Sequence, residues 1–397
     1  MKRALLVASL LVAGLGAAAS AGAEVGVTDA KIVLGTSQSL TGPLAFEGTQ
    51  QVAGIEAYFE HVNAQGGVNG RKIDWKCYDD AYKPQDAVAN MKRLVEQDGI
   101  FAVLNTQGTA TSKAPMPYLE EKKVPFLFPW QGDSGLAGKK YIFTSYPFYD
   151  VQTRLIAHWL VTKKGMKKIG IIYQDDAYGQ PFLDTLKKEL KVLGLELTAA
   201  ESMKRGASDA AVQVAKMSAA KVDACLLALL PGQGAQVLKE GAKIGWKAKM
   251  VGAGPLTDET FIAISGLEGE GVWGFTPWPD PVNSNLPAMK KYREILAKYR
   301  PKVTPNRHNL YGYFYAMLAV EGLKRAGKDL TRDGLIKAME GIGQWDSGIV
   351  PPITFSAADH HAQANGMMVE SKAGRFVPIS GWLWVKDGKL TESAVKE

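Results

Sequence analysis

The feature that most limits what this chain can fold into is a rhythm. From Lys31 to about Val251, short β-rich runs alternate with longer segments whose apolar residues recur at helical spacing. Residues 31–36 form the first run, and 49–64 follow with Val52, Ile55, Phe59 and Val62 on one helical face, closed by Gly66 and Gly67. Asn69-Gly70 then turns the chain into a strand in which Ile73, Trp75 and Cys77 alternate with Lys72, Asp74 and Lys76. After Pro84 come a helix bearing Val88, Met91, Leu94 and Val95, a strand over 100–104, a helix over 111–122, and strands over 124–128 and 141–144. A second ladder opens with Asp150 as the predicted N-cap of a helix carrying Val151, Leu155, Trp159 and Leu160, with Gly165 past its end. Its strands are expected at 168–173, 195–199, 222–229 and 250–251, with helices near 179–193, 208–220 and 233–244. Such a period predicts α/β architecture, two similar lobes with parallel sheets covered on both faces by helices. Helical patterns at 287–299 and 309–326 and short strands at 367–369 and 382–385 follow, and periodicity assigns them to neither lobe.

Before the ladder stands a leader. Met1-Lys2-Arg3 is a basic start, residues 4–15 are apolar but short for a membrane span, and Ala21-Gly22-Ala23 fits a cleavage site, so residues 1–23 are expected to be a signal peptide. The expected mature chain, from Glu24, is an exported, soluble protein of 374 residues, more than one core usually organises. Loss of Lys2 and Arg3 takes the formal charge from +7 to +5, a mild basic bias spread along the chain. Nucleic-acid binding would call for Lys and Arg clustered with aromatics on one face, and no such block exists. Cys77 and Cys225 each fall inside a predicted strand, which points to buried single thiols in different sheets, with a disulfide as the alternative.

Open parallel sheets bind ligands beyond the carboxyl ends of their strands. There the chain places Ser37-Gln38-Ser39, Asn105 to Ser112, Pro129-Trp-Gln-Gly132, Gln174 to Tyr178, Leu230 to Gly234 and Gly252 to Pro255. Hydroxyls, amides, glycines and aromatics dominate these loops and Arg and Lys are absent, which argues against a phosphorylated ligand. The run Gly108-Thr109-Ala110-Thr111-Ser112 opens a helix and suits either a cap alone or a cap that also holds a carboxylate.

Other motifs carry less. Gly232-Gln-Gly-Ala-Gln-Val237 has the placement of a dinucleotide fingerprint but Val237 replaces its third glycine, so a tight turn is expected. Gly132-Asp-Ser-Gly135 resembles a serine-protease nucleophile loop, but Leu136 breaks it and the βα rhythm is wrong for such a barrel. None of the five histidines has a partner at metal-site spacing, and His61 and His158 are expected at a surface or core edge. The pairs Asp79-Asp80 and Asp175-Asp176 lie at strand ends, where capping is the expected role. No catalysis, cofactor or metal is expected.

The run Gly35-Thr-Ser-Gln-Ser-Leu-Thr-Gly-Pro43, then Gly48, Asn63-Ala-Gln-Gly-Gly-Val-Asn-Gly70 and Tyr78-Asp-Asp-Ala-Tyr-Lys-Pro84 resemble the leucine/isoleucine/valine-binding family of type I periplasmic binding proteins. Val124-Pro-Phe-Leu-Phe-Pro129, Ile171-Ile-Tyr-Gln-Asp-Asp-Ala-Tyr-Gly179 and Pro352-Ile-Thr-Phe-Ser-Ala-Ala-Asp-His360 extend the likeness over nearly the whole mature chain. The resemblance implies two Rossmann-like lobes joined by three crossovers: an N-terminal lobe of 24–147 plus 277–354 and a C-terminal lobe of 148–276 plus 355–397. It implies a periplasmic monomer that traps a small-molecule ligand, an amino acid or organic acid, and delivers it to an inner-membrane ABC permease. A sensing module or an enzyme on the same fold is the alternative of another class.

By the same resemblance, Gly108, Thr109 and Thr111, with Trp130 and Gln131, would hold a carboxylate and assist an ammonium, and Tyr178 would close over the ligand. The acid that pairs with the ammonium in relatives falls at Gly254, so that carboxylate is missing unless Glu47 or Asp175 substitutes. A small carboxylate on an apolar or aromatic body would suit Phe46, Trp130, Tyr178 and Trp278, whereas a shifted acid would restore amino-acid binding and leave these aromatics as core.

Overall fold

A computed structural model describes residues 24–394, so the expected leader lies outside the described residues. The first sheet contains β1 (Lys31–Gln38), β2 (Lys72–Asp79), β3 (Ala102–Leu104), β4 (Phe126–Leu127) and β5 (Ile142–Phe143) in the order β2-β1-β3-β4-β5. Every neighbouring pair in it is parallel. All of β1 after Lys31 is buried, which explains the near-continuous apolar run: helices cover both faces of a parallel sheet.

The second sheet holds β6 (Ile169–Gln174), β7 (Ala199–Met203), β8 (Ala224–Ala228), β9 (Lys249–Gly252), β10 (Trp273–Thr276), β11 (Met367–Lys372) and β12 (Arg375–Pro378), ordered β12-β11-β10-β9-β8-β6-β7. It is parallel from β7 to β10, but β11 and β12 join antiparallel, so the expectation of parallel sheets fails at this edge. A two-residue turn at Ala373-Gly374, both at positive φ, joins β11 to β12. The tail strands β13 (Trp382–Lys386) and β14 (Lys389–Ser393) form a separate antiparallel ribbon.

Between β10 and β11 the chain returns to the first sheet's side. The helix Arg307–Ala326 lies along the helix Ala45–Ala64, joined by Pro287–Tyr299 and Arg332–Glu340. The long pair meet backbone to backbone. A Cβ on Gly54 would come closer than 3.0 Å to the Asn309 carbonyl, and one on Gly312 equally close to that of Gln51. The chain therefore passes between the two layers three times, after β5, after β10 and before β11. Two passages run side by side: Thr144 N donates to His360 O (2.9 Å) and Ala362 N to Thr144 O (3.0 Å).

Several local expectations need correction. The helix over 111–122 is two short helices, Thr109–Lys113 and Met116–Glu121, because Pro115 brings no N–H and crowds the preceding turn. The strand expected at 195–199 begins instead at Ala199. Leu195 N closes the preceding helix on Leu190 O (2.8 Å), and Leu195 and Leu197 pack on the core as the chain descends to the sheet edge. Asp150 sits inside the first turn of the helix Tyr149–His158, favourable to its dipole, and Phe148 holds the cap position. His158 is fully buried, with Glu189 at 3.2 Å. Both cysteines are free, and burial pushes the Cys77 thiol up to about 12.

Candidate functional site

The carboxyl ends of both sheets converge on one small cavity of about 20 Å³. Its lining draws on the loop after nearly every parallel strand. Leu44 follows β1, Tyr82 follows β2, Gly108 and Thr109 follow β3, Trp130 and Gln131 follow β4, and Tyr146 and Tyr149 follow β5. From the second sheet come Tyr178 after β6, Leu230 after β8 and Pro255 after β9. Such a volume admits about one water molecule, so the walls must part to seat an organic solute.

Specific local chemistry aims each wall residue. Ala81 and Tyr82 adopt left-handed backbone (φ +48° and +61°), which non-glycine residues keep only when held. The aspartate pair holds them: Asp79 Oδ1 accepts Ala81 N (2.8 Å) and Asp80 Oδ1 accepts Tyr82 N (2.9 Å). Asp80 also accepts the Ser37 and Ser39 hydroxyls at 2.8 and 2.9 Å, tying the loops after β1 and β2 together. Gly108 has φ +87°, and a Cβ there would strike the Tyr82 ring, so only glycine lets that ring close over the loop. Thr109 Oγ1 and the Tyr149 hydroxyl share a hydrogen bond of 2.8 Å. Gln131 Oε1 accepts Asp133 N (2.7 Å), which fixes the amide orientation and leaves its Nε2 buried without an acceptor among the described residues. Tyr149 stands edge-on to Tyr178, with centroids 5.3 Å apart.

Of the residues named from sequence, Gly108, Thr109, Trp130, Gln131 and Tyr178 line the cavity. The other five do not. Thr111 turns its hydroxyl back to the Gln107 and Gly108 carbonyls, a bond local to its helix turn. Phe46 is 38% exposed and stands edge-on to His308. Glu47 is buried elsewhere, in a group with His308 and Asp258; burial raises its carboxyl, with His308 acting against the rise and Asp258 adding to it. Trp278 lies fully buried behind the site, packed on Tyr311 and Phe314. Gly254 lies behind the Tyr146 hydroxyl, which occupies the place a Cβ would need. Neither proposed substitute acid reaches the cavity either, for Asp175 is exposed. Tyr82, Tyr146 and Tyr149 were not legible as site residues, since tyrosines in aromatic runs such as Tyr146-Pro-Phe-Tyr149 read equally well as core.

The cavity wall carries no Asp, Glu, Lys, Arg or His among the described residues. Burial pushes the Tyr146, Tyr149 and Tyr178 phenols above their ordinary value, so they stand as neutral hydroxyls. Gln131 Nε2 is buried with no partner among the described residues, and Trp130 Nε1 and the Tyr146 hydroxyl, both neighbours of the Tyr311 hydroxyl, close no hydrogen bond of good geometry there. The site is thus a ring of aromatic surface studded with donors, suited to holding an acceptor.

A family profile described as "Periplasmic binding protein" matches residues 31–375. The chain belongs to the periplasmic binding protein family. Within it the likeness is to the branched-chain amino acid group: "Leu/Ile/Val-binding protein homolog 1" of Brucella suis is 26% identical over 320 residues, 79% of this chain and 83% of the relative. Among solved structures, a fatty acid ABC transporter substrate-binding protein from Thermomonospora curvata superposes with a TM-score of 0.81 at 30% identity, covering 90% of this chain and 93% of the other. A branched-chain amino acid ABC transporter from Thermus thermophilus with bound valine gives 0.82 at 22% identity over 89% and 96%, a likeness of fold alone. These relatives are described as binding proteins or transporters, and membership of the periplasmic binding protein family implies the periplasm. No helix among the described residues is long and apolar enough to cross a membrane.

Proposed function

We propose that this periplasmic binding protein is the solute receptor of an ABC importer and that its ligand is a small carboxylate on an apolar or aromatic body. One observation carries the ligand class: the wall offers unpaired donors and aromatic surface but no carboxylate for an ammonium. Burying an ammonium without a counter-charge costs several kcal/mol, which removes about three or more decades of affinity. A carboxylate instead finds Gln131, Trp130 and the free hydrogen of the Thr109–Tyr149 hydroxyl pair as donors, while Tyr82, Tyr178 and Leu230 cover its body. The Thermomonospora relative, described as a fatty-acid binder, supports a carboxylate with an apolar body.

Residues 24–147 with 277–354 form one lobe of this machine in our reading, and 148–276 with 355–397 the other. The open form admits solute, and the closed form, which solute binds more tightly, is the one presented to a permease. The names of the Brucella relatives favour a second reading, a receptor for leucine, isoleucine or valine. Equilibrium unfolding with a solute panel separates the two, since a ligand at 1,000 times its Kd adds roughly 4 kcal/mol. Aromatic and aliphatic carboxylates are expected to stabilise the protein, and leucine and valine to leave it unchanged. Tight leucine or valine binding sinks the carboxylate reading, and silence across every organic solute sinks the receptor.

A further inference from the structure

We infer that Tyr146 sets the ligand class of this site: its hydroxyl stands where a side chain at position 254 would stand, donates to an acceptor atom of the solute, and leaves an ammonium without a counter-charge. The inference rests on the solute-receptor reading and adds to it the residue that makes the choice.

Geometry carries the assignment. Tyr146 lies on the passage that leaves β5, its ring held edge-on to Trp130 and Tyr311 with centroids 6.1 and 5.8 Å away. The ring is 2% exposed and lines the cavity. Its hydroxyl abuts Gly254, on the loop after β9, so the phenol belongs to one layer and the glycine to the other. The two positions compete for one space. Any Cβ at 254 would collide with the hydroxyl, so an acidic side chain there requires the Tyr146 ring to move from its place.

The exchange also inverts the chemistry. A carboxylate at this point would give an ammonium a charged acceptor and could donate nothing; a phenol whose ionisation burial suppresses is neutral and has a hydrogen to donate. The polar neighbours of the hydroxyl are the Gln152 amide and the Tyr311 hydroxyl, yet neither closes a bond of proper geometry with it. Gln152 is already committed, its Nε2 donating to Pro147 O (2.7 Å) and its Oε1 facing Gly254 N (3.4 Å). A buried hydroxyl left without a partner is costly, and a solute acceptor in the cavity removes that cost. An ammonium could donate to the same oxygen but would find no counter-charge on the wall for its buried charge.

Calorimetric titration of matched pairs tests this, using 4-methylpentanoate against leucine and 3-phenylpropanoate against phenylalanine. Wild type is expected to bind the deaminated member of a pair. Tyr146→Phe, which removes one oxygen and keeps the ring, is expected to unfold at the wild-type temperature or above and to lose tenfold or more in affinity for that acid. The double variant Tyr146→Ala with Gly254→Asp frees the space and installs the carboxylate, and is expected to shift the preference within a pair at least tenfold toward the amino acid. Unchanged acid affinity in Tyr146→Phe, or an unshifted preference in the double variant, overturns the role of Tyr146 while leaving the receptor reading intact. Failure of wild type to bind any carboxylate overturns both.

Discussion

Tyr82 carries two contacts on one ring. One side lines the cavity; over the ring lies the Arg205 guanidinium, 3.8 Å from the centroid, and Arg205 Nη2 also donates to the Tyr82 carbonyl at 2.8 Å. Arg205 comes from the loop after β7, a parallel strand of the second sheet whose loop does not line the cavity. The contact bridges the layers and is broken when they part. A cation–π contact plus a charge-assisted hydrogen bond at a half-buried site are together worth about 1–2 kcal/mol. Arg205→Ala should therefore weaken solute binding about five- to thirtyfold, read as Kd, with the unfolding temperature of the solute-free protein little changed. Nothing in the sequence pointed to Arg205, because its partner follows a strand of the other sheet and its own loop carries no motif. The aspartates beneath Tyr82 were legible as turn-forming groups, since Asp-Asp at a strand end supplies backbone caps whatever else surrounds it.

Between elements, the closest approach is that of the helices Ala45–Ala64 and Arg307–Ala326 across Gly54 and Gly312. Alanine in a helix ordinarily gains about 1 kcal/mol over glycine, but here the new methyl meets backbone and not a movable side chain. Overpacking of this kind costs about 1–3 kcal/mol, so Gly54→Ala and Gly312→Ala should each lower the denaturation midpoint without altering the dependence on denaturant. Period and apolar spacing made these helices legible, along with nearly every buried strand. What escaped was whatever depends on the neighbour: that Leu195 and Leu197 descend over the core before pairing starts, and that β11 meets β10 antiparallel. Pro115 was a local signal of the helix break after Lys113. At the site, loops after strands were legible as a class, whereas the burial of Glu47 away from the cavity and the reach of Tyr146 depend on helix and crossover paths that periodicity does not encode.

Across the whole molecule, His361 sits where two of the three passages run together. Its Nε2 donates to the Gln363 carbonyl (2.7 Å), its Nδ1 meets the Thr144 hydroxyl (2.9 Å), and its ring stacks on Phe148 with centroids 3.7 Å apart. Burial lowers its pKa from 6.5 to about 4, with the Gln363 carbonyl, Asp359 and Asp150 acting weakly the other way. A base whose folded pKa is lowered takes its proton more readily when unfolded, so its contribution is complete above about 6.5 and is lost as pH falls toward about 4. The loss amounts to at most about 3 kcal/mol, and unfolding measured from pH 7.5 down to pH 4 should show it. His361→Gln should flatten that stretch of the profile. The three passages have another consequence. Cut after β5, the first part lacks the helices that cover its sheet; cut after β10, both parts are incomplete; cut before β11, the second sheet loses its edge. No single break yields two whole pieces. During synthesis, which delivers the amino end first, the first sheet waits for helices that come after the whole parallel part of the second, the second waits for its edge strands near the carboxyl end, and neither can be borrowed as one continuous segment.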